Sequence, residues 1–443
     1  MQDKQRFLTG STMRHVMVMT LTGSIGLSFM FLVDVATLFW VSLLGSEQFV
    51  AALGFAWTVQ SFTISSGIGL MIAAMALISR SVGQGNIELA RRQASAAGLY
   101  TFVIQTLVAG IVVLFRREIL AFAGAEGQTL EDAARFLLIS VPSLPFMALG
   151  MVGSSVLRSI GDAWRSMFVT LSAGVVAMIV DPFLIFTLGL GLDGAAWGVV
   201  ISRTLSVLLA LFFVVKTHDM IGPLRRVDVT TMAKPFAAIA VPAVATQMST
   251  PFGNYVLTMV IAAYGDGAVA GWAVVSRIAV LAFGGLFSLS GAIGGIVGQN
   301  FGAEQMDRVK STYRDALVFC LAYTLVAWAI LALLRNQLVA LFNQGPLAGE
   351  VIVAFMLIGA GGYIFAGALF VANAAFNNLG RPIYSTLCNW LRDGVLMFPC
   401  TLVMGWWLAA PGVVYGQALA AIIVGSFAAI WGWVFVNRLA VSK

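Results

Sequence analysis

The chain has 443 residues, 60% of them apolar and only 10% charged, with a net charge of +6 and a mean hydropathy of +0.95. A soluble domain is about a quarter charged, so that class is excluded. The apolar residues come in runs of about twenty, the length a helix needs to cross the hydrocarbon layer.

In lipid the backbone must satisfy its own polar groups, as helices or as a closed barrel. A barrel reads as alternating segments of about ten residues, and these segments are longer and apolar on all sides. Twelve spans are expected, at roughly 16–44, 49–79, 94–115, 133–157, 164–189, 194–216, 236–263, 267–297, 314–335, 350–376, 383–408 and 413–437. The first is too long, and wrongly flanked, for a cleaved signal peptide. The longest loop, from Thr217 to Pro235, is too short to fold as a domain.

Lys and Arg set the orientation. Of 25 such residues, only Arg116, Arg117, Arg135 and Arg335 fall in outside loops if the N-terminus is inside. Arg203, Arg277 and Arg392 fall within spans, and the other 18 lie on the inside. Both termini are therefore expected to be cytoplasmic, in a plasma (bacterial inner) membrane. The net charge reads as a topology signal, with no nucleic-acid partner implied. Cys320, Cys388 and Cys400 read as small packing residues, and His15 and His218 sit near the cytoplasmic surface, far from any metal-ligand cluster. No phosphate-loop motif is present, so uphill transport calls for an ion gradient.

The chain repeats itself. Leu44-Gly45 with Val50-Ala51-Ala52 matches Tyr264-Gly265 with Val269-Ala270-Gly271 at an offset of about 220. Val82-Gly83-Gln84 matches Val297-Gly298-Gln299 at 215, and Ser159-Ile160-Gly161-Asp162 matches Asn378-Leu379-Gly380-Arg381 at 219. The fold expected is an all-α integral membrane protein of twelve helices in two six-helix lobes, 1–220 and 221–443. Six helices per repeat put the pseudo-twofold axis along the membrane normal, with substrate between the halves. Gly291, Gly295, Gly298 and the run Gly359 to Gly362 read as close helix packing.

Phe31-Leu32-Val33-Asp34, Leu43-Leu44-Gly45 and Val50-Ala51-Ala52-Leu53-Gly54 resemble the first helix pair of MATE (multidrug and toxic compound extrusion) transporters. Val82-Gly83-Gln84-Gly85-Asn86 and Val297-Gly298-Gln299-Asn300-Phe301-Gly302-Ala303 resemble its loops after helices 2 and 8. Leu157-Arg158-Ser159-Ile160-Gly161-Asp162 and Phe376-Asn377-Asn378-Leu379-Gly380-Arg381-Pro382 resemble its loops after helices 4 and 10. Asp181-Pro182-Phe183-Leu184-Ile185-Phe186 with Gly194-Ala195-Ala196-Trp197 is similar to its helix 5–6 region. The resemblance covers the whole chain. It implies export of organic, often cationic, compounds driven by H⁺ or Na⁺.

Ionisable residues inside a membrane are costly and mark function. Asp34 and Asp181 lie at similar depths, roughly 15 and 12 Å from the outer ends of their spans. In the second half their counterparts are Asn254 and, by aligning Pro182 with Pro399, Phe398. The acid pair is thus confined to one half, as in the DinF-like branch of the family. The plain alternative is that each Asp only bonds a neighbouring helix. Relatives that bind Na⁺ carry an Asn and a Thr where this chain has Ala177 and Val199, which favours H⁺. Gly23 and Gly26 allow helix 1 to bend or to pack closely.

Arg203 shares this depth, either as a coupling partner or as a tie between helices. Arg392 and Asp393, adjacent and hence on different faces, read as ties to neighbouring helices, with Arg277 in the same class. Trp40, Trp57, Gln60, Gln247, Asn254, Trp272, Asn373 and Asn377 are candidates for lining a substrate cavity.

The sequence thus reads as a monomeric secondary antiporter, not an enzyme, needing neither cofactor nor metal. It exports cationic or amphipathic organic molecules in exchange for H⁺. A Na⁺-coupled version, a flippase for a lipid-linked precursor, and a passive channel are the rivals.

Overall fold

The computed structural model describes residues 4–342 and 345–441, and every regular element among them is helical. Nine helices, among the described residues, each form one span: α1 Thr12–Ser42, α2 Glu47–Gly83, α3 Ile87–Leu114, α4 Gly127–Ser159, α5 Ala163–Thr187, α6 Gly191–Thr217, α7 Arg226–Ala262, α8 Asp266–Gly302 and α9 Met306–Phe342. A tenth, α10, is made of Pro346–Leu357 and Tyr363–Asn378 joined by the tight turn Gly359–Gly362. The last apolar run, Pro382–Ala440, is long enough for two crossings. It breaks at Ala409, which takes φ +56° ahead of Pro411. That break separates α11 (382–408) from α12 (410–440). Each of the twelve expected spans is thus a helix.

Proline and glycine account for the interruptions. In α4, Pro142 sits inside a tightened turn, Val141–Ser143, and Pro145 follows it. In α5, Pro182 supplies no N–H, and the next turn, Phe183–Thr187, widens to π geometry. Helix α8 kinks at Phe283. Tyr323 Oη donates to Ala282 O there, and Gly285 N donates to that oxygen.

Helix ends sharpen the repeat. Gly45 and Gly265 both have positive φ after α1 and α7, as do Gly161 and Gly380 after α4 and α10. After α2 and α8 the left-handed residues are Gly85 and Glu304. This corrects the alignment at 215: the helix end at Gly83 corresponds to Gly302, an offset of 219. The stretch Val297–Gly302 is accordingly the buried end of α8 and not a loop.

By packing, the chain divides into residues 25–244 and residues 1–24 with 245–443. This differs from the division at 220/221 read from the repeat, because the boundaries fall inside α1 and α7. In the unit 25–244, one apolar core gathers Val41, Leu53, Ala56, Phe136, Leu144, Ile185 and Ala195. A second gathers Leu70, Ile78, Val82, Val156, Leu157, Val214 and Phe236. Chain positions between these cores carry a polar band. The unit's linker after α6 is pinned by Arg91, which donates to Ile221 O (3.0 and 3.2 Å), and by Ser95, which donates to Gly222 O. Asp162 caps α5, accepting from Arg165 N, and also contacts Arg165 and His218. Burial pushes its carboxyl up, but the bonds from Arg165 and His218 outweigh it and hold it below the ordinary range. That stabilisation is present above the ordinary carboxylate pKa and is lost as pH falls through the depressed one.

In the other unit the N-terminal segment is fixed. Phe7 is buried, and Arg308 donates to the carbonyls of Phe7, Thr9 and Gly10. Thr12 Oγ1 donates to Asp315 at 2.5 Å.

Close helix contacts rest on glycine. A Cβ on Gly69 would lie 2.6 Å from the backbone of Val244, whereas one on Gly110 meets nothing. Overpacking costs about 1–3 kcal/mol. We expect Gly69→Ala to lower the thermal unfolding midpoint in detergent, and Gly110→Ala to leave it level or raise it through better helix propensity.

Candidate functional site

The polar band of the unit 25–244 holds two acids and one arginine with different surroundings. Asp181 is the last residue before Pro182 and the π turn of α5, and it is 2% exposed. Its Oδ2 accepts from Thr37 Oγ1 of α1 at 2.6 Å. Its Oδ1 is buried without a hydrogen-bond partner and presses on α6: a Cβ on Gly198 would sit 1.8 Å from it. Glycine at 198 is therefore what admits the carboxylate.

Asp34 lies one turn before Thr37 on α1, on the same side of the helix. Among the described residues its carboxylate forms no hydrogen bond or ion pair, and it is exposed. Its charged neighbours are Arg203 and Asp181. Close packing of α1 on α5 sets the geometry. A Cβ on Gly26 would lie 3.3 Å from Thr170, and one on Gly174 would lie 2.7 Å from Phe29.

Arg203 reaches neither acid directly. One guanidinium nitrogen donates to Ser140 O (3.1 Å) and Ser143 Oγ (3.0 Å), and the other donates to Gln60 Oε1 (2.6 Å). The α4 turn makes this acceptor available. Leu144 N bonds Val141 O across the tightened turn, leaving Ser140 O to accept from Arg203 and from Ser143 Oγ. Arg203 is buried and ties α6 to α2 and α4, while its charge is felt at Asp34.

The MatE family profile matches residues 23–183 and 242–403. The chain belongs to the MATE family. Members of this family are transporters, not enzymes. This MATE protein is 25% identical to the FAD transporter of Shewanella oneidensis over 96% of its own length and 95% of that protein's. It is 24% identical to the multidrug export protein MepA of Staphylococcus saprophyticus, over 100% of this chain and 99% of that one. Its fold superimposes on a structure of the Vibrio cholerae MATE transporter VcmN with a TM-score of 0.91 at 22% identity, covering 98% of both chains. An outward-facing MATE transporter of the MOP superfamily gives 0.92 at 20% identity, again over 98% of both.

The remaining candidates of this MATE protein are dispersed. Trp40 and Trp57 are partly buried against one apolar core. Gln60 is 4% exposed and engaged by Arg203. In the other unit, Asn254 is exposed, Gln247 is half-buried and Trp272 is buried. Asn373 and Asn377 are buried in a polar network, accepting from Asn389 (3.0 Å) and Ser385 (3.1 Å). Arg392 and Asp393 bond each other at 2.6 and 2.8 Å. This corrects the expectation of divergent faces: the long arginine side chain folds back onto its neighbour within the π turn Leu391–Leu396, as Arg314 does onto Asp315 in α9. Asp393 also accepts from Ser249 of α7 at 2.9 Å, so the tie to a neighbouring helix is present.

Sequence reasoning did not single out Thr37, Gly198, Ser140 or Ser143. The spacing of Thr37 from Asp34 and the two prolines in Ser140–Pro145 were the available signals.

Two outcomes follow. Gly198→Ala should evict Asp181 from Thr37 and cut transport at least about tenfold (about 1.4 kcal/mol) in folded protein, while Thr37→Ser stays near wild type. Arg203→Met should leave Gln60 Oε1 unsatisfied, at about 1–3 kcal/mol, seen as a lower thermal midpoint in detergent, while Ser143 keeps its bond to Ser140 O.

Proposed function

We propose that this transporter exports organic, cationic or amphipathic small molecules in exchange for H⁺ by alternating access, with Asp34 and Asp181 as the proton-carrying pair. The observation that carries the reading is Asp181 itself. One oxygen is held by Thr37, and the other is buried with no donor. Burying an ion without partners is costly, and a proton cancels that charge. Asp34, exposed and one turn from Thr37 on α1, is the group that water and substrate can reach. Proton loss and gain at the pair would alter how α1 is held against α5.

The ion choice rests on side-chain oxygens. Ala177 and Val199 offer none, while hard cations such as Ca²⁺ take about six oxygen ligands. The acid pattern fits the DinF-like branch, and the Lys and Arg distribution supports cytoplasmic termini. The relatives' names cover an acidic dinucleotide and multiple drugs, so the common class is the organic small molecule.

The test uses purified protein in liposomes with a pH gradient or a Na⁺ gradient imposed separately. Uphill movement of a fluorescent organic solute should follow the pH gradient, and Asp34→Asn and Asp181→Asn should each reduce it by at least about tenfold (about 1.4 kcal/mol). Response to Na⁺ alone would replace H⁺ by Na⁺. Purely downhill flux, unchanged in both variants, would remove the antiporter.

A further inference from the structure

Of the arginines within the spans, Arg203 is bonded to α2 and α4, and Arg392 to Asp393. Arg277 on α8 is different. It is exposed, and it forms no hydrogen bond or ion pair among the described residues. It follows Asp266, the first residue of α8, by about eleven positions, so it lies roughly 16 Å along the helix. That is about half of a 30 Å hydrocarbon core. An arginine facing acyl chains at that depth is among the costliest placements in a membrane protein, and such residues face water or a partner.

The surface close to it is mostly small-chained. On α9 the exposed positions mix the bulky Val318, Leu321, Leu325, Val326, Ile330 and Leu333 with Ala322 and Ala329. On α8 the accessible positions around the arginine are Ala270, Ala273, Ser276 and Val280, with Leu281 one turn beyond it. The first four are small enough to leave room beside a guanidinium. Below Leu281 the helix becomes predominantly buried, at the Phe283 kink.

The repeat gives an independent check. At the offset of 219 the accessible face of α8 matches that of α2: Ala51 with Ala270, Gly54 with Ala273, Phe62 with Leu281. Thr58 stands where α8 has Arg277. Both faces are accessible, but only one carries a charge. The shared architecture therefore does not require the arginine.

We propose that Arg277 is an anion-recognising residue of the substrate path, binding the phosphate or carboxylate of an acidic organic solute. A guanidinium presents a rigid fork of donors matched to both groups. The exported compounds then include amphipathic acids and are not restricted to cations. The inference rests on the efflux reading above and narrows its substrate class.

The test compares flavin mononucleotide with riboflavin, which shares the ring system but lacks the phosphate, and with the cation ethidium. The full chain is studied in liposomes under a pH gradient. Wild type should move flavin mononucleotide. Arg277→Gln should raise its apparent KM roughly ten- to a hundredfold, the loss of one charge-assisted hydrogen bond. Riboflavin and ethidium should stay within about twofold, since neither offers an anion to the guanidinium, and Arg277→Lys should recover part of the loss. Wild-type transport of ethidium but not of flavin mononucleotide overturns the proposal and leaves the efflux reading standing. So does an Arg277→Gln protein in which all three compounds fall together or none changes. Failure of wild type to move any of them is a failure of the efflux reading instead.

Tryptophan-quenching titrations in detergent then read Arg277 directly, and also serve if Arg277→Gln does not fold. Tighter binding of flavin mononucleotide than of riboflavin, weakened in Arg277→Lys, supports the site. Equal binding overturns it. Quenching by short-chain phosphatidylglycerol but not by flavin mononucleotide assigns the arginine to a lipid headgroup, and also overturns it.

Discussion

The hydrogen bond from Thr37 to Asp181, 2.6 Å long, joins α1 to α5 in the band that separates two apolar cores. Much of the surrounding structure can be understood as making that bond tenable. Gly198 leaves space for the second carboxylate oxygen, and Gly26 and Gly174 let α1 lie close to α5. Gln60, Ser140 and Ser143 take up the donors of Arg203, so the arginine does not neutralise the pair by direct contact. The outcome is a carboxylate fixed at one oxygen and bare at the other. Hydrocarbon makes such a group expensive, which is why the proposed coupling is built on it.

The two halves share a backbone plan but differ in polar content. The three pairs of left-handed helix-end residues match to within one position, yet Asp34 corresponds to Asn254 in the repeat and Thr58 to Arg277. The contact of Phe29 with Gly174 has its counterpart in Ser249 and Gly253 against Asp393. There the acid is matched by its own neighbour, Arg392, at 2.6 Å. Buried ions paired in this way hold helices together, whereas the acid of the first half has one oxygen without a partner. The two halves thus share a frame and differ in the polar residues set into it, which is the asymmetry on which the proposed coupling rests.

Much of the fold was legible in the sequence because apolar length is a direct physical requirement of the bilayer. The twelve spans, the repeat and the two acids follow from hydropathy and from the cost of charge in lipid. The partners of Arg203 did not follow, because they depend on where the turn at Pro142 leaves Ser140 O, a tertiary fact. The 215 alignment failed for a similar reason: Val-Gly-Gln recurs by composition, while the helix end is set by backbone conformation at Gly85 and Glu304. Packing boundaries inside α1 and α7 were also hidden, since both helices are continuous and carry no sequence break at Ser24 or Val244. Adjacent Arg392 and Asp393 bond each other because an arginine side chain is long enough to reach back to its neighbour, as Arg314 also does to Asp315 in an ordinary helix.

The central claim is that substrate and proton compete through Asp34 and Asp181. Proton release on substrate binding tests it most directly, read with an indicator dye in weakly buffered detergent solution as substrate is titrated into purified protein. The account predicts release from wild type near neutral pH and none from the Asp34→Asn, Asp181→Asn double variant. Substrate binding without release, or release undiminished in the double variant, would contradict it.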